Sequence, residues 1–476
     1  MTVYLSLSLT LILSFILTMV EGARLHAVRM EAECISDIGM NSVLAEFHRE
    51  LLEQYDLLFV DMSYGTSSAV IENSSEHLRD YLQKNCSRSE RGGSFGLSSG
   101  RDWLALSVDQ AVIREYSLAS DYKGNVMKRQ ALEYMKDSTA EGMALDALGL
   151  ADKVKSLGLD TRDIAAERES IQAQIDAIEL PKQEDEEGEE YEISLSNPAD
   201  NVNASRGSFT LRTVTGKNAS LSGTVIRLED YISHRSCRSG LGINPDLREP
   251  SGILDELMFD CYLLEKCGNY RKEKENSLLK YQVEYLIAGE ASDLKNLDKV
   301  VKRLLLWREV ANVTYILSDS KKCREAEMAA LTLTAVMLVP EFKDLVKYSI
   351  LFAWAYMESV WDVRNLLAGG KAPLMKSGED WKTSMSDLLF FSGTVPEKAA
   401  GGRGLEYEDY LRIMLCLEDG TKKIMRAMDI MEMDIRQTPG NAYFCMDACF
   451  DIFLADISIS SAFGYQGRIK KRYGYY

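Results

Sequence analysis

The chain has 476 residues, of which 46% are hydrophobic and 27% are charged, as in an average globular protein. This composition excludes wholesale disorder, a collagen-like chain and a membrane protein with many spans. The 73 Asp and Glu outnumber the 55 Lys and Arg and give a formal net charge of −18. Because a general nucleic-acid binder needs a basic face, we expect no nucleic-acid partner.

Residues 3–20 form an apolar run without a charged side chain. A helix of this length covers about 27 Å of the roughly 30 Å hydrocarbon core, so we predict a membrane anchor through residues 3–20. A cleaved secretory signal is the alternative. The absence of a Lys or Arg before the run, and the poor cleavage site at Val20-Glu21-Gly22, favour the anchor. Charge counting alone would place the body in the cytoplasm, because Arg24 and Arg29 follow the run.

Helical periodicity continues beyond this run. Small or apolar residues recur at mostly three- and four-residue steps, at Ala23, Ala27, Met30, Cys34, Ile38, Ala45, Leu52 and Tyr55. The pattern predicts an amphipathic helix that continues the anchor as one rod of about 80 Å. Its apolar stripe must pack on something, and a head folded against the distal half is typical of pilin-like subunits. The alternative is a signal anchor followed by an unrelated first helix.

The remaining patterns predict an α+β, helix-rich fold with a small antiparallel sheet and a large C-terminal helical core at 254–437. Short apolar or alternating segments predict strands at 57–60, 104–108, 112–118 and 452–459. Helical patterns cover 121–157, 162–180, 294–315, 331–339, 345–368, 407–417 and 421–437. The apolar run 348–357 is too short to span a bilayer and predicts a buried core helix.

The acidic run at 183–192 predicts a solvated linker, because it lacks the Asp/Asn and Gly spacing of a calcium loop. We therefore divide the chain into four parts. They are an anchor at 1–22, a pilin-like helix with short strands and a helical segment at 23–180, an acidic linker and loop at 181–207, and a mainly helical domain with a C-terminal strand at 208–476.

No catalytic motif lies in its proper context. The sequence has no phosphate-binding loop, dinucleotide fingerprint or C-x-x-C pair, and its four His never occur at metal-ligand spacing. Ser94 and Ser98 each match G-x-S-x-G, but the polar residues before them favour a Gly/Ser-rich loop. Core packing is the simpler interpretation of Met425, Met428, Met431 and Met433, and of Cys261, Cys267, Cys445 and Cys449. We predict a non-enzyme without catalytic, cofactor-binding or metal-ligating residues, and without a cofactor.

Glu358 and Asp362 lie four residues apart on one predicted helical face. Two carboxylates on a helix can do acid–base work, but these flank the most apolar helix, where we expect Trp354 and Trp361 to be buried. We therefore interpret them as structural. Carboxylates at this spacing repel each other unless a cation is close; the candidate cations are Arg364, Arg308 and Arg303.

Short segments spread over nearly the whole chain resemble one family. They are 2–7, 21–24, 55–59, Tyr64-Gly65, Asn197-Pro198, Val202-Asn203, 233–235, Tyr281-Gln282, Glu284-Tyr285, Arg308-Glu309, Asn312, Trp354-Ala355, Glu358-Ser359, 362–364, Tyr407 and 410–412. The family is domain of unknown function 5702, membrane-anchored proteins of Firmicutes encoded near Tad-like pilus genes. The resemblance implies a single-pass anchor, an outward-facing body, similarity to TadE/TadG-type pseudopilins, and pilin or pilus-assembly partners. It brings no established catalytic residues.

Two functions remain open. The first is a non-enzymatic, membrane-anchored, pseudopilin-like component of a Tad-like type IV pilus or secretion apparatus, whose rod docks with other pilins. The second is an anchored surface enzyme or ligand-binding protein with a dispersed site. The lack of any motif in its proper context favours the first, in the cell membrane with an extracellular body.

Overall fold

A computed structural model describes residues 2–86, 105–136, 140–178, 183–184, 190–191, 197–207, 209–216, 219–243, 252–389, 401–462 and 464–475. Within these ranges the chain is mainly helical and contains one four-stranded antiparallel sheet, so the α+β, helix-rich class is confirmed. Ser94, Ser98 and most of the acidic run lie outside the described residues. The division into an anchor, two folded parts and a linker stays a prediction.

Helices account for most of the described elements. In chain order they are α1 Thr2–Leu44, α2 Arg49–Tyr55, α3 Ile71–Cys86, α4 Asp121–Met135, α5 Ala140–Ser156, α6 Ile164–Asp176, α7 Pro198–Gly207, α8 Leu211–Thr215, α9 Ile253–Lys266, α10 Gln282–Ala288, α11 Asp293–Ser318, α12 Ser320–Val336, α13 Lys343–Leu367, α14 Met385–Leu389, α15 Tyr407–Leu417 and α16 Gly420–Arg436. The strands are β1 Val60–Asp61, β2 Leu106–Leu118, β3 Gln183–Glu184, β4 Glu190–Tyr191, β5 Cys449–Ser461 and β6 Gln466–Gly474.

Helix α1 is unbroken over 43 residues, which is about 65 Å at 1.5 Å per residue. The predicted 80 Å rod is therefore too long, because the chain turns after Leu44 and a separate helix begins at Arg49. His48 fixes this turn: its backbone N–H bonds the carbonyl of Phe59 at 2.8 Å, and its ring accepts from the N–H of Leu51 at 3.3 Å.

The face of α1 that packs on the body differs from the predicted stripe. Its buried residues are Val28, Ala32, Ile35, Ser36, Gly39, Met40, Val43 and Leu44. The predicted Ala23, Met30, Cys34 and Ile38 are exposed on the opposite side. Both sets step by three or four residues, so periodicity alone predicts the helix but cannot select the buried face. Leu78 and Leu82 of α3 pack against the buried face, where a Cβ at Gly39 would lie 2.6 Å from a Leu82 methyl group.

Strand β5 is the centre of the sheet. It pairs along one edge with β2 and along the other with β1 and β6, always antiparallel. Within the described residues, the segments predicted at 104–108 and 112–118 fall in one strand, β2, which is interrupted by bulges near Gln110 and Arg114. The strand predicted at 57–60 shrinks to the two residues of β1, whereas 452–459 is confirmed within β5. Strand β6 was missed, because its alternate residues are charged and only Ile469 and Tyr473 are large and apolar.

Two apolar cores follow from this arrangement. The head core contains the distal half of α1, helix α3 and the four-stranded sheet. The helical core surrounds α13, whose residues 349–360 are all buried. The expectation that 348–357 is a buried core segment is thus confirmed for all but Tyr348, which is 44% exposed. The methionines of α16 lie in the same core, and Met428, Met431 and Met433 are fully buried.

Candidate functional site

The first candidate site is the surface that α1 leaves uncovered. No described side chain before Val28 is buried, and the apolar window of this helix has a mean hydropathy of 2.2. Ser6, Ser8 and Thr10 donate to carbonyl oxygens three or four residues earlier, so the hydroxyls add little cost in an apolar medium. Among the described residues α1 alone is long and apolar enough to cross a membrane, a property that signal sequences near an N-terminus share.

An apolar stripe continues along α1 beyond its apolar window. We call Ala23, Ala27, Met30, Cys34 and Ile38 the outer stripe. Met30 is 67% exposed and Ile38 is 44% exposed, although the opposite face of α1 already packs against the head in this part of the helix. Large apolar side chains beside a covered face indicate a surface available to another protein.

The distal end of α1 is fastened to the head by polar contacts. Lys471 of β6 pairs with Asp37 at 2.7 Å, and the Tyr475 hydroxyl donates to the carbonyl of Leu44. That carbonyl is one of those a helix end leaves without a partner in the helix. Just beyond, Glu46 accepts from the Tyr81 hydroxyl at 2.6 Å, and this carboxylate raises the pKa of Tyr81 to about 12. The head is therefore held on α1 as a fixed unit.

The second candidate site is a buried charge cluster formed by Arg308, Glu358, Asp362 and Lys376. Arg308 donates to Asp362 at 2.9–3.0 Å. Lys376 lies 2.7 Å from Asp362 and also pairs with Glu358. Each of the four is at most 7% exposed. Among the candidate cations, Arg308 is confirmed, and Lys376, in a loop after α13, was missed because no pattern in that loop points to it.

The other predicted residues do not belong to this cluster, although the Trp361 ring lies 5.8 Å from the Lys376 ammonium group. Arg303 pairs with Asp160 and Glu418 instead. Arg364 is partly exposed on α13. Trp354 is buried as expected, whereas Trp361 is partly exposed.

Every carboxylate oxygen of the buried charge cluster has a donor. Glu358 accepts from the N–H groups of Lys382 and Thr383 and from the Thr383 hydroxyl, at 2.6–2.9 Å. Burial would raise the pKa of Asp362, but Arg308 and Lys376 outweigh burial and hold it below the ordinary value. Arg308 and Lys376 are thus both held in ion pairs with the buried carboxylates. The cluster ties the loop after α13 to α11 and α13, and offers no free base.

A cavity of about 350 Å³ lies over this cluster and is lined by Asp362, Lys376 and Trp361. Its rim charges are largely neutralised, since Lys371 pairs with Glu406 at 2.9 Å and Arg403 approaches Glu379 at 3.6 Å. The lining residues are Trp361, Asp362, Lys371, Ala372, Pro373, Lys376, Glu379, Asp380, Lys382, Gly401, Gly402 and Arg403. This set can hold a polar molecule, but contains no nucleophile next to a free base.

A third cluster brings ligand atoms of Glu432, Cys445 and Asp447 within 4.8 Å of one another. Arg235 lies between the two carboxylates, at 2.6 Å from Asp447 and 2.5 Å from Glu432. Arg436 adds contacts to Glu432 at 3.1 Å and to the Cys445 sulfur at 3.3 Å. These guanidinium groups supply the positive charge that a metal ion would bring, so the residues do not fit a metal site.

The cysteines show no sign of activation. All nine are free thiols, and burial raises the pKa of Cys237, Cys445 and Cys449. A reactive thiol needs a lowered pKa. The interpretation of Cys261, Cys267 and Cys449 as small buried side chains is confirmed, and Cys445 is half-buried.

Burial also raises the pKa of several carboxyl groups. The pKa rises to about 7 for Glu284 and Glu432 and to about 6 for Asp260 and Asp451. Glu284 accepts from the Tyr407 hydroxyl at 2.8 Å and from the N–H of Tyr270 at 2.9 Å, while its second oxygen has no partner. None of these four carboxyls lines the cavities formed beside Asp362, Arg129 and His48.

One comparison with known proteins gives a match. The model of a family of unknown function (DUF5702) covers residues 185–461, more than half of the chain. No curated protein and no solved structure is significantly similar.

Lys376→Met tests the buried charge cluster. We expect it to lower the free energy of unfolding of the full chain by about 3–5 kcal/mol, because two buried carboxylates lose their shared cation. Adding Glu358→Gln should recover part of this loss. Lys382→Met, at an exposed lysine of the same loop, is the matched control and should change stability by less than about 0.5 kcal/mol. Urea titration followed by tryptophan fluorescence measures all four proteins; an unaffected Lys376→Met would contradict the structural role.

Glu284→Gln tests the raised pKa. The folded state holds this proton up to about pH 7, whereas the unfolded chain releases it near pH 4.3, so stability is lost as the pH rises between these values. The loss is at most about 4 kcal/mol. Unfolding measured from pH 5 to pH 8 should show a flatter pH dependence in Glu284→Gln than in the parent. The exposed Glu275→Gln should keep the parent's dependence, and equal slopes for all three proteins would refute the assignment.

Proposed function

The chain belongs to the DUF5702 family of unknown function, and we propose that it is a non-enzymatic subunit anchored in the cell membrane by residues 3–20. It acts by assembly with other proteins, as a pseudopilin-like component of a Tad-like type IV pilus or secretion apparatus. Its body lies outside the cell, and its partners are pilins or pilus-assembly proteins.

The observation that carries this proposal is the difference in burial between the two halves of α1. The distal half packs against the sheet and α3 from Val28 onward, while residues 2–21 are all exposed. A rigid helix that carries a head at one end and an uncovered apolar surface at the other is the shape of a pilin-like subunit. The outer stripe extends this uncovered surface alongside the head.

The state of the charged clusters supports a non-enzymatic role. Arg308 and Lys376 neutralise the carboxylates of the buried charge cluster, and Arg235 and Arg436 neutralise the third cluster. Catalytic acids and bases need a free proton-transferring group near a substrate. The ion pairs of both clusters therefore support a non-enzymatic role.

Topology is the first test. Protease added to intact protoplasts should remove the body and leave a membrane fragment that contains residues 3–20. Lysed protoplasts provide the control, since they expose both sides of the membrane. A body that resists protease until lysis would overturn the outward orientation and support the cytoplasmic placement that Arg24 and Arg29 favour.

The partner surface is the second test. A photo-crosslinking residue at Met30, in the outer stripe, should form adducts with a pilin or pilus-assembly protein in native membranes. The same residue at Arg29, exposed on another face of α1, is the matched control. We expect at least tenfold more adduct from position 30, because only that face remains apolar and uncovered. Equal yields, or adducts with the outer-stripe position that contain no pilus protein, would contradict the proposal.

A further inference from the structure

Helix α12 has an inverted pattern of burial. It packs on α13 through small side chains, namely Ala326, Ala330 and Thr334, which are fully buried. Leu333 packs partly against the helical core, but other large apolar side chains point outward: Met328 is 59% exposed and Val336 is 70% exposed. A surface helix normally buries its large apolar residues and exposes the others, so the outer face of α12 is built for a further contact.

This face is one continuous stripe. Lys321, Arg324, Met328, Leu331, Ala335 and Leu338 follow one another at alternating steps of three and four residues, and all are exposed. That spacing is the a/d pattern of helices that pair along a seam. Leu338, in the turn after α12, is 61% exposed and adopts a φ of 60°, which is rare for a bulky side chain.

The two ends of the stripe carry opposite charges. Lys321 and Arg324 are exposed at the N-terminal end, beside Glu325, and Glu341 and Asp344 are exposed at the tip where α13 begins. Among the described residues none of these five forms an ion pair. The two lysines near the tip, Lys343 and Lys347, both form ion pairs with Glu327.

We propose that the outer face of α12 is a self-association surface, on which two copies of this chain pack α12 against α12 in antiparallel orientation. A two-fold axis near Thr332 brings Met328, Leu331 and Val336 of both copies together. Arg324 lies eight residues before Thr332 and Glu341 nine residues after it. Each copy therefore presents its basic end to the acidic tip of the other.

The distribution of charge favours a second copy over a membrane surface. An interfacial helix for anionic lipid carries basic residues along its polar face, whereas the tip of this hairpin presents Glu341 and Asp344. A two-fold contact requires the same patch to be complementary to itself. Opposite charges at the two ends of one apolar stripe satisfy that requirement only in the antiparallel orientation. The inference uses α12 and its surroundings alone and is independent of the assembly role of α1.

Chemical crosslinking of the full chain in its native membrane tests the surface. Thr332→Cys, close to the axis, should give a covalent homodimer with a short bismaleimide in at least tenfold higher yield than Gln174→Cys, at an exposed position on α6. The parent chain gives the background from Cys34 and Cys237, which are exposed. Yields from Thr332→Cys and Gln174→Cys that are equal would overturn the proposal, as would an adduct with any other protein in place of the homodimer.

Charge reversal separates this contact from a general loss of folding. In the Thr332→Cys background, Arg324→Glu should reduce the dimer at least tenfold, and adding Glu341→Arg should restore it, because the pair is re-formed with its signs exchanged. Leu331→Asp should also abolish the dimer, whereas Leu145→Asp, at a leucine on α5 that is 55% exposed, should not. A double charge reversal that fails to restore the dimer while remaining folded would refute the antiparallel arrangement.

Discussion

The pairing of β5 with its neighbours is the interaction on which both cores depend. Phe450 and Ile457 project into the head core, while Cys449, at the start of the same strand, packs into the helical core. The buried Asp451 pairs with Arg129 of α4 at 2.6 Å, and Asp447, just before the strand, pairs with Arg235. A change that displaced β5 would therefore disrupt the central strand of the head core. It would also disrupt the ion pairs that tie Arg129 and Arg235 to this strand and to Asp447.

Local sequence patterns predict the helix-rich class and the long first helix. They also predict most of the helices of the second half, because helical periodicity is visible within each segment. Pro340 and the sequence Asp419-Gly420 mark helix boundaries that are visible in the sequence. The bounds of α15 agree with the predicted helix at 407–417. The buried face of α1 could not be predicted. Two stripes of equal period exist there, and packing against α3 and the sheet, including the close approach of Leu82 to Gly39, covers one of them.

The ionic clusters were predictable only in part. Glu358, Asp362 and Arg308 lie on helices. The helical spacing of the two carboxylates indicates that they share a face and suggests a cationic partner across a helix–helix contact. Lys376 lies in an irregular loop, and nothing local shows that its ammonium group enters the core. The same is true of Arg235, whose carboxylate partners lie about 200 residues further along the chain. Long-range electrostatic partners are set by tertiary packing, which a local pattern does not encode.

The sheet has a consequence for biosynthesis. Ser107 of β2 faces Ser460 of β5 across 353 residues of sequence, so β2 emerges from the ribosome long before the strand that covers its edge. An unpaired strand edge is a template for wrong pairing during that interval. The head therefore cannot close along β2 until synthesis reaches β5, near the end of the chain.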